Sequence, residues 1–139
     1  MPLSGRTLHP GSARGGVLRL DEPLSFWGGT DQDGRIIDRH HPQRGESIAG
    51  AVLVMRSGRG SSSSSYVLTE QLRCGSGPAA IILAEPDAIV TLGAIVADEL
   101  YATAVPVVMV PLADLTSLST GDKVHVEAGP RGARIAAVV

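Results

Sequence analysis

The sequence holds one cysteine, Cys74. A lone thiol excludes a disulfide within the chain and fits a reducing compartment, so a cytoplasmic location is expected. It also excludes an iron–sulfur cluster held by this chain alone, because such clusters normally take several thiolates. Aromatic residues are scarce, at 3% of the chain with a single Phe and a single Trp, so small aliphatic residues must fill the interior. Neither sign of charge is in excess. A net charge of −2 gives no basis for nucleic acid or an anionic membrane as partner. No apolar run approaches the roughly 20 residues of a membrane-spanning helix. The opening MPLSGRTLHPGSARGG has no apolar segment of the kind a secretory signal needs.

A length of 139 residues suits one domain, 1–139, with one sizeable core. The stretch that carries most information is AGAVLVMRSGRGSSSSSYVLTEQLRC, residues 49–74. Ala51 to Met55 is a short continuous apolar run, the pattern of a strand covered on both faces. Gly58 and Gly60 allow a sharp turn with uncovered N–H groups. Ser61 to Ser65 then stand where a helix N-terminus is expected, and Tyr66, Val67, Leu68, Leu72 and Cys74 continue at helical spacing. A strand, a glycine loop and a helix start together make an anion site, built from backbone N–H groups and the positive end of the helix dipole. The competing reading is a flexible polyserine linker. A linker is not normally joined to AVLVM on one side and an amphipathic helix on the other. The loop lacks the spacing of a nucleotide P-loop and of a hydrolase nucleophile elbow.

Around this stretch the chain reads as alternating strands and short helices. Residues 1–15 carry Pro, Gly, Ser and Arg with little periodicity and read as irregular, with a short strand possible over Arg6 to His9. Strands are expected over Gly16 to Leu20, Arg35 to Asp38, Ala79 to Leu83, Val107 to Val110, Lys123 to Glu127 and Ala133 to Val139, the last two forming a hairpin. Asp87 is placed to cap a helix over Ala88 to Ala94 that continues through Leu100. Gly75 to Pro78 stops the helix before it. A short helix is expected over Ala113 to Leu118. Phe26 and Trp27 read as packing anchors, and Cys74 as a small buried side chain. The polar segment holding Asp31, Asp33, Asp38, His40 and His41 is a candidate rim for a site. The two histidines, being adjacent, make a poor pair of ligands for one metal. The fold class is α/β, with a mixed, barrel-like sheet and short helices.

Several of these segments resemble a known family. LSFWGG (24–29), RIIDRHHPQRG (35–45), LVMRSGRGSSSSSYVL (53–68), GPAAIILAEPDAIVTLGAIVADELY (77–101) and PVVMV (106–110) are similar to the small subunit of aconitase X, a divergent branch of the aconitase hydro-lyases. The resemblance implies a swivelling β/β/α domain docked on a large subunit that carries iron or an iron–sulfur cluster, with none bound by this chain. It implies a dehydratase that is inactive as a single chain and acts on a small carboxylate substrate. The unbroken serine run and the HHPQ segment resemble the bacterial cis-3-hydroxy-L-proline dehydratases. Relatives whose serine run is interrupted by Gly resemble phosphomevalonate dehydratases.

The resemblance also suggests roles for residues. In aconitases a serine following a glycine, within G-S-S-R-E-H, takes the substrate proton. Gly60 and Ser61 match that pair, which makes Ser61 the candidate general base, with Ser62 and Ser65 the next candidates. A helix N-terminus supplies the sign of potential that lowers a hydroxyl pKa. Ser63 stands where the aconitase pattern has Arg, so carboxylate binding falls to Arg59, to the amides of Ser62 to Ser64 or to the partner chain. Gly60, Ser62, Ser63, Ser64, Ser65 and His41 complete the expected substrate contacts, and no residue is expected to ligate a metal. The rival from another class is a non-enzymatic anion-binding or regulatory domain on the same fold.

Overall fold

The computed structural model describes residues 2–138. Seven strands are β1 (Leu3–His9), β2 (Gly11–Arg19), β3 (Val52–Val54), β4 (Ala80–Leu83), β5 (Val107–Met109), β6 (Lys123–Gly129) and β7 (Gly132–Ala137). The helices are α1, a single kinked turn at Phe26–Gly29, then α2 (Ser63–Cys74), α3 (Ala88–Tyr101) and the short α4 (Leu112–Leu115). The strands close into a barrel in the order β1-β5-β4-β3-β2-β6-β7. Pairs β2–β3, β3–β4 and β4–β5 are parallel, and the remaining pairs are antiparallel. The sheet is therefore mixed and barrel-like, as the alternation of elements predicts.

The two helical crossovers follow from the parallel strands. A parallel connection must carry the chain back to the start of the sheet, which a two-residue hairpin cannot do. Helix α2 joins β3 to β4, and α3 joins β4 to β5. Alternate residues of these strands feed two apolar clusters. Val52, Val54, Ala80 and Ile82 meet Val124, Val126 and Ile135 inside the barrel. Leu53, Met55, Ile81 and Leu83 pack under Leu68 and Leu72 of α2 and Val90, Ala94 and Ala97 of α3. Both faces of β3 and β4 are thus covered, which explains their unbroken apolar runs. Small residues let α2 and α3 approach closely: a Cβ on Gly93 would lie 3.0 Å from both Ser65 O and Leu68 Cδ2.

Four expectations are corrected. Residues 1–15 are not irregular, although Met1 lies outside the described residues: Leu3–His9 and Gly11–Arg19 are strands of the barrel. Their glycines are sites of close approach. A Cβ on Gly5 would lie 2.7 Å from Met109 O, and one on Gly15 would lie 3.1 Å from Gly50 O. Arg35 to Asp38 makes only isolated bridges, Thr30↔Ile36 and Arg35↔Ser47, within a long loop. Phe26 anchors the core at 1% exposure, whereas Trp27 is 58% exposed. Cys74 is exposed, because it falls on the outer face of the last turn of α2. The C-terminal hairpin is present, β7 ending at Ala137, and Val139 lies outside the described residues.

Candidate functional site

The polyserine corner is ordered. β3 ends at Val54, and the chain turns through Met55–Ser62 into α2, so the corner lies off the carboxyl end of a parallel strand. Ligand sites of α/β sheets characteristically form there. Gly60 turns the loop with φ +93°, and a Cβ on it would meet Ser25 Oγ at 2.6 Å. Gly58 N–H donates to Asp87 Oδ2 at 2.9 Å, and Arg59 N–H donates to Leu24 O at 3.2 Å. Two neighbouring segments, 24–29 and the start of α3, therefore hold the loop.

The five serines divide by the direction they face. Ser61, Ser62 and Ser63 are exposed, Ser64 is buried and Ser65 is half-buried. Ser61 Oγ accepts the N–H of Ser63 at 3.1 Å, and Ser61 O accepts that of Ser64 at 2.9 Å. Ser62 O accepts from Ser65 N at 3.1 Å. Ser61 therefore serves as the local cap for the first turn, while Ser62, the residue before the helix, makes no capping bond with its side chain. Among the described residues, the amides of Ser61 and Ser62 have no protein partner. With the Gly60 amide, which likewise has no protein partner among the described residues, they are the N–H groups that remain for an anion. The amides of Ser63 and Ser64, expected as further anion donors, are used up inside the turn.

Ser64 and Ser65 are likewise committed within the fold. Ser64 Oγ accepts the N–H of Trp27 at 3.1 Å, and Ser65 Oγ donates to Ile89 O at 2.6 Å. They dock α2 onto segment 24–29 and onto α3, and as folded neither hydroxyl faces outward as the expected substrate contact would. His41 is corrected in the same way. It is 4% exposed, its Nε2 meets Glu22 O at 3.0 Å and its Nδ1 accepts the N–H of Gln43 at 3.0 Å. Both ring nitrogens are spent on bracing the 38–45 loop, so neither is free for a substrate.

Arg59 is at the corner with one arm of its guanidinium engaged. Its guanidinium donates to Asp38 Oδ2 at 2.7 Å. The N–H of His40, first, and then Arg59 hold the Asp38 carboxyl below its ordinary range. Sequence reasoning placed Asp38 on a polar rim without assigning it a partner. It missed Ser25, and it read Asp87 only as a helix cap. Contacts spanning 21 and 29 residues leave no local signal.

The corner is shallow. A concavity of about 60 Å³ lies beside Gly58, Gly60, Ser64 and Asp87. That is room for one or two waters, each of which takes about 30 Å³. The larger grooves, of about 800 and 550 Å³, border none of the five serines. The site residues thus form an open face. A hydroxyl that accepts a backbone N–H at a helix N-terminus is biased toward its ionised form. The unpaired amides of Gly60, Ser61 and Ser62 and a guanidinium beside it suit a carboxylate. Among the described residues, no group of three or more His, Cys, Asp or Glu side chains is arranged to hold a metal ion.

The aconitase X swivel domain model matches residues 2–135. Over 103 residues the chain is 50% identical to a cis-3-hydroxy-L-proline dehydratase of Pseudomonas aeruginosa, a match covering 73% of this chain and 18% of that protein. The chain thus spans under a fifth of that relative's length. It is 40% identical over 129 residues to the phosphomevalonate dehydratase small subunit of Thermococcus kodakarensis, covering 92% of this chain and 91% of that one. The fold superposes on a chain of the crystal structure of Thermococcus kodakaraensis aconitase X in its holo form, with a TM-score of 0.87 and 37% identity, covering 100% and 99% of the two chains. An ordered serine corner, a closed mixed barrel and these matches agree: the chain belongs to the aconitase X swivel domain family.

Proposed function

We propose that this chain is the small subunit of an aconitase-X-type hydro-lyase that dehydrates cis-3-hydroxy-L-proline to pyrroline-2-carboxylate and water, acting with a large, iron-bearing partner subunit. The supporting observation is the ordered serine corner, whose three outward serines, the unpaired amides of Gly60 to Ser62 and Arg59 make half of a carboxylate site with no enclosing wall. A partner must supply that wall. The likeness to the Pseudomonas aeruginosa dehydratase, at 50% identity, supports the hydroxyproline substrate.

In this reading the chain performs two tasks. The amides of Ser61 and Ser62, with Arg59, orient the substrate carboxylate. Ser61 takes the proton from the carbon next to that carboxylate, which develops negative charge as the C–H bond breaks. The hydroxide leaves from the adjacent carbon, and iron in the partner would act on it as a Lewis acid. No step assigned here to this chain's own residues depends on a metal.

A second reading, phosphomevalonate dehydration, shares the chemistry. The match over 91% of the length of the Thermococcus kodakarensis small subunit supports it. The test is a substrate panel on this chain co-expressed and co-purified with its large partner. Turnover of cis-3-hydroxyproline by the pair, and none by the single chain, is expected. Turnover of phosphomevalonate alone would select the second reading. Activity of the isolated chain would overturn the two-subunit reading, and no co-purifying partner would favour an anion-binding domain without catalysis.

A further inference from the structure

Two loops leaving neighbouring parallel strands meet behind the serine corner. β3 runs out into residues 55–62, and β4 runs out into residues 84–87. Asp87 joins them with its two oxygens doing different jobs. Oδ1 accepts the N–H groups of Ile89 and Val90, both at 3.0 Å, and caps α3. Oδ2 accepts the N–H of Gly58 at 2.9 Å. The contact is tight, since a Cβ on Gly58 would lie 2.9 Å from Oδ2 and 3.0 Å from Val90 Cγ2.

A helix cap alone does not require an aspartate. One acceptor oxygen is enough, and Ser or Asn caps about as well as Asp. The second oxygen is what only a carboxylate offers as an acceptor, because Asn presents an N–H₂ donor there. Gly58 is three residues before Ser61, and between them the chain turns at Gly60 with φ +93°. The Gly58 amide therefore ties the loop before Ser61 to the start of α3, as the Ser65 hydroxyl ties the helix after it through Ile89 O.

We propose that Asp87 is a positioning residue: through the Gly58 amide it fixes where Ser61 and the neighbouring amides stand, independently of its capping of α3. The proposal rests on the reading in which Ser61 acts in dehydration. Asp87→Asn separates the two jobs, since its Oδ1 keeps the cap while its amide nitrogen faces the Gly58 N–H donor to donor. Asp87→Ala removes both.

In the two-subunit complex, both variants are expected to lower kcat by at least about tenfold, the scale of a misplaced reacting group. The melting temperature should fall for both variants, and further for Ala, which loses the cap of α3 as well as the Gly58 contact. In the isolated chain, amide exchange followed by NMR should speed up at least about tenfold at Gly58 in the Asn variant, with Val90 still protected. Wild-type kcat in the Asn variant would overturn the proposal, as would unchanged Gly58 exchange. A wild-type complex that dehydrates nothing would instead remove the dehydratase reading, and Gly58 exchange would still show whether Asp87 holds the loop.

Discussion

Ser61→Ala and Ser64→Ala should have opposite effects, although the two residues lie within one serine run. Ser61 is exposed, and its hydroxyl accepts one N–H, that of Ser63, at 3.1 Å. Without that oxygen, the exposed Ser63 amide can turn to water. The loss in stability should stay near the lower end of cap removals, about 0.5 kcal/mol. For a domain of this size that is a melting shift of roughly 1.5–2 °C. If Ser61 is the base, kcat should drop at least about 100-fold, or about 2.7 kcal/mol of transition-state stabilisation. Ser64 is 2% exposed, and its Oγ accepts the Trp27 N–H at 3.1 Å. Its removal strands a partly buried donor, which costs about 1–3 kcal/mol, and so should lower the melting temperature by roughly 3–10 °C. Calorimetry of the single chain and steady-state kinetics of the complex measure both effects. A Ser61→Ala enzyme within tenfold of wild type would refute Ser61 as the base. A Ser64→Ala chain as stable as wild type would refute the inward role assigned to Ser64.

Two further perturbations test the loop around the serines. Gly60→Ala places a Cβ 2.6 Å from Ser25 Oγ at φ +93°; left-handed strain of about 1–2 kcal/mol plus the clash should lower the melting temperature by more than Gly45→Ala, where nothing lies near the new Cβ. Equal losses at the two sites would refute the close approach. Asp38 titrates below the ordinary carboxylate value of about 3.9. Because its pKa is lowered in the folded state, the stabilisation it brings is present above that ordinary value and is lost as pH falls through the lower folded one. The Arg59 pair should thus be intact throughout the neutral range, and a carboxyl titration by NMR should find the midpoint below about 3.9. A midpoint at or above it would mean that the pair is not formed.

The interior of the domain was legible from pattern. Continuous apolar runs at 51–55, 79–83 and 107–110 identify strands covered on both faces, since nothing else in a short α/β chain leaves no polar residue in a strand. Alternation at Lys123 to Glu127 likewise identified a half-exposed strand, and Val124 and Val126 are buried as expected. The glycine loop before Ser61 and the glycine stop after Cys74 bounded α2 within two residues. These signals are local, each carried by residues adjacent in sequence.

What tertiary structure decided is where distant segments touch. Gly5 and Gly15 read as irregular chain because their reason for being glycine lies in Met109 O and Gly50 O, on neighbouring segments that are distant in sequence. His41 read as a site residue because no pattern shows that Glu22 O and the Gln43 amide already take its nitrogens. The sequence determined that five serines begin a helix. Only the packing of that helix against α3 and segment 24–29 decided that Ser64 and Ser65 turn inward while Ser61 to Ser63 face out, since identical side chains acquire different roles solely from what stands opposite them.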